Sequence, residues 1–232
     1  MSNFKAILAQ ASSDVYSSPN FRRSTLAGEY DYRPNLSDNK TAVYSGTSKT
    51  IVAHRGMVAN DLDDLNNTFA RVMYGREIAA KRLKNSHTVS QNAAALGKPI
   101  HHTGHSLGGT TARKVARERG EPSTGFNRWT GLTQTRENRQ ATKRCKQGST
   151  EPHCSNTVDV FNPQDIATMR INSDYGVKIR QKPEKPFTLL RGGPLGVHSI
   201  SQFTGGKKKS PKDSPHPQQK LLDLALKTIR KM

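Results

Sequence analysis

The sequence predicts a single α/β domain, a mostly parallel central sheet flanked by helices. Three observations predict it. Short β-prone runs recur between helix-length segments, a strand and a helix meet in a tight turn at Ser106, and 232 residues suffice for one such core but are short for two.

Residues 1–40 are mixed and polar, with Tyr30, Tyr32 and Pro34 in what reads as a loosely packed leading segment and a short helix near Phe4 to Gln10. Thr41 to Tyr44 and Thr50 to His54 are β-prone runs around Ser45-Gly46-Thr47-Ser48, a hairpin or two neighbouring strands. From Asn60 to about Lys84 the residues Leu62, Leu65, Phe69, Val72, Met73, Ile78 and Leu83 recur at helical spacing, with Asp and Asn early and Lys and Arg late, an order that suits the helix dipole. A second helix is expected over Val89 to Leu96, ended by Gly97-Lys98-Pro99. Pro99 to Thr103 then reads as a strand and Gly108 to Arg119 as a helix with Ala112, Val115 and Ala116 on one face.

Phe126-Asn127-Arg128-Trp129 marks a further strand end, and Gly131 to Asn156, basic and without periodicity, reads as a long mobile loop. Thr157 to Phe161 is a strand leading into Asn162-Pro163-Gln164-Asp165, and Gly176 to Ile179 is another. The folded unit is thus expected over 41–204. Residues 205–232 follow as a linker holding Lys207-Lys208-Lys209 and a basic amphipathic helix from Gln219 to Met232.

A net charge of +19, with 32% hydrophobic and 6% aromatic residues, makes a surface that attracts phosphate, whether on nucleic acid, on anionic lipid or on an acidic protein. No run of eighteen apolar residues occurs, and Met1-Ser2-Asn3-Phe4-Lys5 lacks the basic-then-apolar order of a secretory signal. A soluble, intracellular chain is expected. Its two cysteines, Cys145 and Cys154, could close a disulfide, but free thiols in a reducing compartment are the plainer reading. His153 adds a third donor without a zinc-like spacing, so neither metal nor cofactor is expected.

The chemistry centres on Gly104-His105-Ser106-Leu107-Gly108-Gly109. A serine hydroxyl becomes a nucleophile when a base takes its proton and a strained strand-to-helix turn lifts it clear of the backbone. Gly104, Gly108 and Gly109 supply the space such a turn needs, and the Leu107 N–H, at a helix N-terminus, is aimed at a reacting carbonyl oxygen. An acid and a histidine follow downstream in the order Ser, Asp, His. His105 is expected to pack rather than react, as is His54; His101 and His102 are expected to face opposite sides of a strand.

Gly-His-Ser-Leu-Gly-Gly after a short β run resembles the nucleophile elbow of the fungal-type, class 3 lipase family of the α/β-hydrolase fold. Three further segments are similar to that family's. Val52-Ala53-His54-Arg55-Gly56-Met57 resembles its oxyanion strand, Asn162-Pro163-Gln164-Asp165-Ile166-Ala167 its Asn-Pro-x-Asp segment, and Gly196-Val197-His198-Ser199-Ile200-Ser201-Gln202-Phe203 the loop that carries its histidine. The likeness covers about Ala42 to Phe203. It implies a serine carboxylic-ester hydrolase acting on acyl lipid, a triacylglycerol lipase or an A-type phospholipase, with Ser106, His198 and Asp165 as its triad and the backbone N–H groups of Met57 and Leu107 as its oxyanion hole. Asp159, inside a strand, is the rival acid and Asp174 a third.

Met57 stands where the family has Ser or Thr, so the hydroxyl contact to the oxyanion is missing. Asp61-Leu62-Asp63-Asp64 replaces the family's lid sequence, which argues against a taste for fat droplets. Anionic membrane is the expected partner of Lys207, Lys208, Lys209 and the C-terminal helix. The competing reading is a catalytically weak or inactive scaffold that grips nucleic acid or membrane, although few aromatic residues interleave with the basic ones. A compact, basic, signal-free member of the family would suit a virus-encoded or intracellular enzyme.

Overall fold

A computed structural model describes residues 3–58, 61, 64, 78, 80–130, 136–162, 174–181 and 201–204. Among these, eight strands form one sheet in chain order: β1 (Thr25–Leu26), β2 (Tyr30–Tyr32), β3 (Thr41–Ser45), β4 (Thr50–His54), β5 (Ile100–His105), β6 (Ser123–Phe126), β7 (Thr157–Phe161) and β8 (Val177–Arg180). β1 to β4 pair antiparallel, with β3 and β4 forming the expected hairpin, and β4 to β8 run parallel. The helices are α1 (Asn3–Asp14), α2 (Ala80–Ala94), α3 (Leu107–Arg119), α4 (Arg136–Lys146), α5 (Pro152–Asn156) and α6 (Ser201–Thr204). This is the single α/β domain the sequence predicts.

Every residue of β3 and β4 is buried, because helices cover both faces. On one face Ala42, Tyr44, Ile51 and Ala53 pack with Ile7, Leu8, Ala11 and Val15 from the N-terminal segment, and with Phe126, Val160 and Phe203. On the other Val43, Val52 and Ile100 meet Val89 and Ala93 of α2, and α3 crosses β4, β5 and β6. Each buried aliphatic side chain contributes about 1.5–3 kcal/mol. The first face is therefore no mere covering.

The leading segment departs from expectation on this point. Ile7, Leu8, Ala9 and Ala11 lie at most 2% exposed, the Ser12 and Thr103 hydroxyls share a 2.8 Å hydrogen bond, and the Tyr44 hydroxyl donates to Asp14 at 2.5 Å. A helix with one apolar stripe and polar contacts into the sheet reads as a polar stretch when only composition is weighed.

α2 runs unbroken through Lys84 to Thr88, where the sequence suggests a break. Ser86 and Ser90 are buried there, and the Ser90 hydroxyl donates to the Ser86 carbonyl at 2.7 Å, so the inward face is small and polar rather than apolar. Most of the Asn60–Lys84 helix reading falls outside the described residues, as does all of 205–232. His102 is fully buried against the α2 side, whereas His101 lies edge-on to Phe4 at 5.3 Å on the α1 side; neither faces solvent outright.

The aperiodic stretch after Gly131 is no loop over its described part: it holds α4 and α5. α4 buries only Ala141 and Thr142, too few for an apolar repeat to register. Polar links hold it instead. Glu137 accepts from Lys114 at 2.5 Å and Arg117 at 2.6 Å, Asn138 donates to Asp174 at 2.6 Å, and Cys145 is disulfide-bonded to Cys154, with Cα atoms 5.4 Å apart. The bridge overturns the free-thiol reading, and such bonds persist where surroundings are oxidising.

Cys145→Ser/Cys154→Ser is expected to remove about 2–3 kcal/mol of stability, lowering Tm by roughly 4–10 °C. Without reductant neither wild-type cysteine should react with iodoacetamide, and scanning calorimetry with and without reductant checks the size of the loss.

Candidate active site

β5 ends at His105 and α3 begins at Leu107, leaving Ser106 to make the whole turn at φ 57°, ψ −127°. For a residue with a Cβ this conformation costs on the order of 1–3 kcal/mol, and it persists only where neighbours over-determine it. They do so here. The Ser106 N–H donates to the Phe126 carbonyl at 3.1 Å, its own carbonyl accepts from Trp129 N–H at 3.1 Å and Thr110 N–H at 3.3 Å, and the Thr110 hydroxyl donates to the Trp129 carbonyl at 2.6 Å.

The glycines around the turn are required by close approach. A Cβ on Gly104 would lie 2.5 Å from the Gly108 carbonyl oxygen, and one on Gly109 would lie 3.0 Å from the Gly104 carbonyl. A Cβ on Gly108 would overlap the His54 carbonyl and come within 2.8 Å of the Arg55 carbonyl carbon. Gly108 thus lets the end of β4 lie across the first turn of α3. In consequence Met57 and Leu107 pack in one small apolar cluster with Ile78 and Trp129, so the two residues named as oxyanion donors are neighbours.

The segment Arg55-Gly56-Met57 is held along its length. Arg55 N–H donates to the Lys40 carbonyl at 2.8 Å, and the Arg55 carbonyl accepts from the guanidinium of Arg82. The Arg55 side chain reaches Asp61 at 2.8 Å and Asp64 at 3.4 Å. Lys40 and Arg82 each lie 2.8 Å from Asp64. Burial works to raise the Asp61 carboxyl, but hydrogen bonds from Lys40 and the Asp64 N–H and the charges of Lys40 and Arg55 outweigh it and hold it below the usual range. Asp61 and Asp64, noted in the sequence only as a departure from a lid, are the counter-charges of this clamp.

His105 points to the opposite face of the sheet, where its Nδ1 lies 3.1 Å from the Tyr16 hydroxyl. His54 faces α2, with Nε2 3.1 Å from Nδ1 of His102, whose Nε2 lies 2.5 Å from Glu121. Burial, reinforced by the nearby His102, Arg82 and His87, pushes His54 well below its ordinary value, so it is a neutral packed residue. Burial also lowers His102, against the opposing pull of Glu121.

The two rival acids are committed elsewhere. Asp159 lies 2.7 Å from Arg113, 2.9 Å from Arg128 and 2.7 Å from Lys178, and Asp174 bonds Arg128 and Asn138. Burial works to raise the Asp159 carboxyl, but the charges of Arg128, Arg113 and Lys178 and the Arg128 hydrogen bond hold it far below the usual range. Burial brings the Lys178 ammonium down to about 8, against the pull of Asp159. Both Asp159 oxygens are held by cations, Oδ1 by Arg128 and Oδ2 by Arg113, Arg128 and Lys178. Arg113 also stacks on Tyr175, its guanidinium carbon 3.6 Å from the ring centroid.

Asp165 and His198 lie outside the described residues; of the residues near them in sequence, Asn162 and Phe203 are described. Asn162 N–H donates to the Asn127 side chain at 2.8 Å, and Asn127 N–H donates to the Val160 carbonyl at 2.9 Å, tying the start of Asn162-Pro163-Gln164-Asp165 to the end of β6. Phe203 is buried against Phe126, ring centroids 5.3 Å apart. Asn127 and Tyr16 escaped the sequence reading; the only cue was the position of Asn127 just after a strand. Cys145, His153 and Cys154 bring one donor atom each within 4.8 Å, but the two sulfurs are bonded to one another, which leaves His153 as the sole ready ligand of the three.

A parallel sheet with a strained serine between strand and helix, glycine-packed on both sides, defines a hydrolase-type α/β protein. Residues 9–174 match the Tle-like phospholipase domain family, and the chain belongs to that family. It is therefore a phospholipase-like protein, of a class built for lipid-ester hydrolysis in general. No curated protein matches the chain.

Asp159→Asn leaves the buried Arg113 and Arg128 and the half-buried Lys178 short of a counter-charge and is expected to cost about 3–5 kcal/mol, a fall in Tm on the order of 10 °C. Because the folded carboxyl is depressed, its contribution is complete above the unfolded value of about 3.9 and lost as pH falls below it. Urea titrations from pH 6 to pH 2 should show a shallower acid loss in the variant than in the wild type.

Proposed function

We propose that the chain cleaves a carboxylic-ester bond of phospholipid, as an A-type phospholipase, through Ser106, His198 and Asp165. The carrying observation is the Ser106 backbone: a serine held at positive φ by three separate backbone contacts is strain kept for presenting a hydroxyl. Ser106 Oγ attacks the ester carbonyl carbon while His198 takes its proton. The negative oxygen is held by the Met57 and Leu107 N–H groups, and collapse expels the alcohol, which takes the proton from His198. Water, deprotonated by His198, then attacks the acyl-enzyme, releasing the fatty acid and restoring the Ser106 hydroxyl. Asp165 fixes the imidazole tautomer and stabilises its charged form.

Chain geometry supports the assignment. His198 stands five positions before the anchored Phe203, at most roughly 18 Å of extended chain, and Asp165 three positions after Asn162, at most roughly 11 Å. Phe203 and Asn162 both attach at the end of β6, whose Phe126 carbonyl also binds the Ser106 N–H. The class 3 lipase likeness of these segments points the same way, and the family match favours phospholipid over triacylglycerol. A net charge of +19 and the exposed Arg136, Arg139, Lys143 and Lys146 of α4 suit an anionic bilayer, joined by Lys207, Lys208 and Lys209. Among the described residues no helix is long and apolar enough to cross a membrane.

Purified protein is expected to release fatty acid from vesicles containing anionic phospholipid, faster at low salt than at high, and to take a fluorophosphonate label on Ser106. Ser106→Ala and His198→Ala should each lower kcat by about 10⁴-fold or more, and Asp165→Asn by about 10⁴-fold. Wild-type protein that neither hydrolyses ester nor labels, or a rate that survives Ser106→Ala, leaves only a binding role for the scaffold.

A further inference from the structure

We propose that Tyr16 is a positioning residue that sets the Gly56–Met57 segment against the Ser106 turn, an inference that rests on the proposed serine chemistry. Tyr16 lies just beyond α1, on the face of the sheet opposite α2 and α3. Its hydroxyl is 3.1 Å from His105 Nδ1 and sits against Gly56, in the space a side chain there would fill. One oxygen therefore joins the residue before Ser106 to the residue before Met57. A Cβ on Gly56 would overlap that hydroxyl and lie 2.9 Å from the His105 carbonyl oxygen, so the glycine is what admits the contact.

A phenol has one proton to give and lone pairs to accept with. The phenol can therefore either donate to His105 Nδ1 or accept from it, so the contact holds in either tautomer of that ring. Burial raises the phenol far above its ordinary value, so the proton stays on across the working pH range. From the other side Lys40 and Arg82 hold the Arg55 peptide; Tyr16 supplies the hold from the direction of the turn. An oxyanion donor works only within a few tenths of an ångström of its place, and losing one outright costs about 10²–10³-fold in kcat. Loosening one by removing its support should cost less.

The test uses the full chain with Tyr16→Phe, which keeps the ring and deletes the oxygen. Expected are faster deuterium exchange at the Gly56 amide, kcat on a short-chain p-nitrophenyl ester lower by roughly tenfold with KM within twofold, and equally slowed fluorophosphonate labelling of Ser106. His105→Leu, which removes the other partner of the hydroxyl, should reproduce the pattern and serves if the first variant folds poorly. An unchanged kcat, a KM rising in step with the loss, or a lowered kcat without faster Gly56 exchange overturns the proposal. Wild-type protein that neither turns over ester nor labels on Ser106 removes the serine chemistry itself and the positioning role with it, even where Gly56 exchange responds to the substitution.

Discussion

The crossing of β5 over the first turn of α3 is the constraint on which the rest of the molecule turns. Gly104 and Gly109 let β5 close on the first turn of α3, Gly108 lets the end of β4 lie on that turn, and Ser106 absorbs the change of direction in a single residue. The surrounding structure follows from that closeness. β6 must end where its Phe126 carbonyl can take the Ser106 N–H, and β4 must run out over Gly108 so that Arg55 to Met57 passes beside Leu107. The large buried side chains, Phe126 and Phe161 among them, pack around a geometry that small residues dictate.

Two groups of charges brace this arrangement from below and from the side. Asp61 and Asp64 gather Lys40, Arg55 and Arg82 at the end of β4, and Asp159 and Asp174 gather Arg113, Arg128 and Lys178 beneath β6, β7 and β8. Among the described residues each has three cations to two carboxylates. Taking one charge from such a group costs more than the group as a whole contributes, because its partners stay buried without compensation. The groups act less as glue than as fixed points for the segments they join.

Much of the fold was legible in the sequence because its parallel strands are buried on both faces and read as short apolar or β-branched runs between turn residues. β3, β4, β5 and β7 fall where those runs fall, and the elbow was visible as glycines spaced around a serine. What escaped was whatever depends on polar packing. α4 shows no apolar repeat because ion pairs and a disulfide hold it, α2 turns serines inward, and α1 hides an apolar stripe within a polar composition. Tyr16 and Asn127 were invisible for the same reason: each matters through one hydrogen-bonded oxygen, and nothing in local sequence marks which oxygen will find a partner far along the chain. Asp159 could be set aside only once its three cations were in view, since a strand position alone does not tell a structural carboxylate from a free one.

The strands stand side by side in the order in which they are synthesised. Open α/β sheets commonly bind their ligands in the crevice that opens where strand order reverses and neighbouring crossovers leave on opposite faces. Among the described strands no such reversal occurs. At the carboxyl edge the chain instead passes from strand to helix within the single contorted residue at position 106.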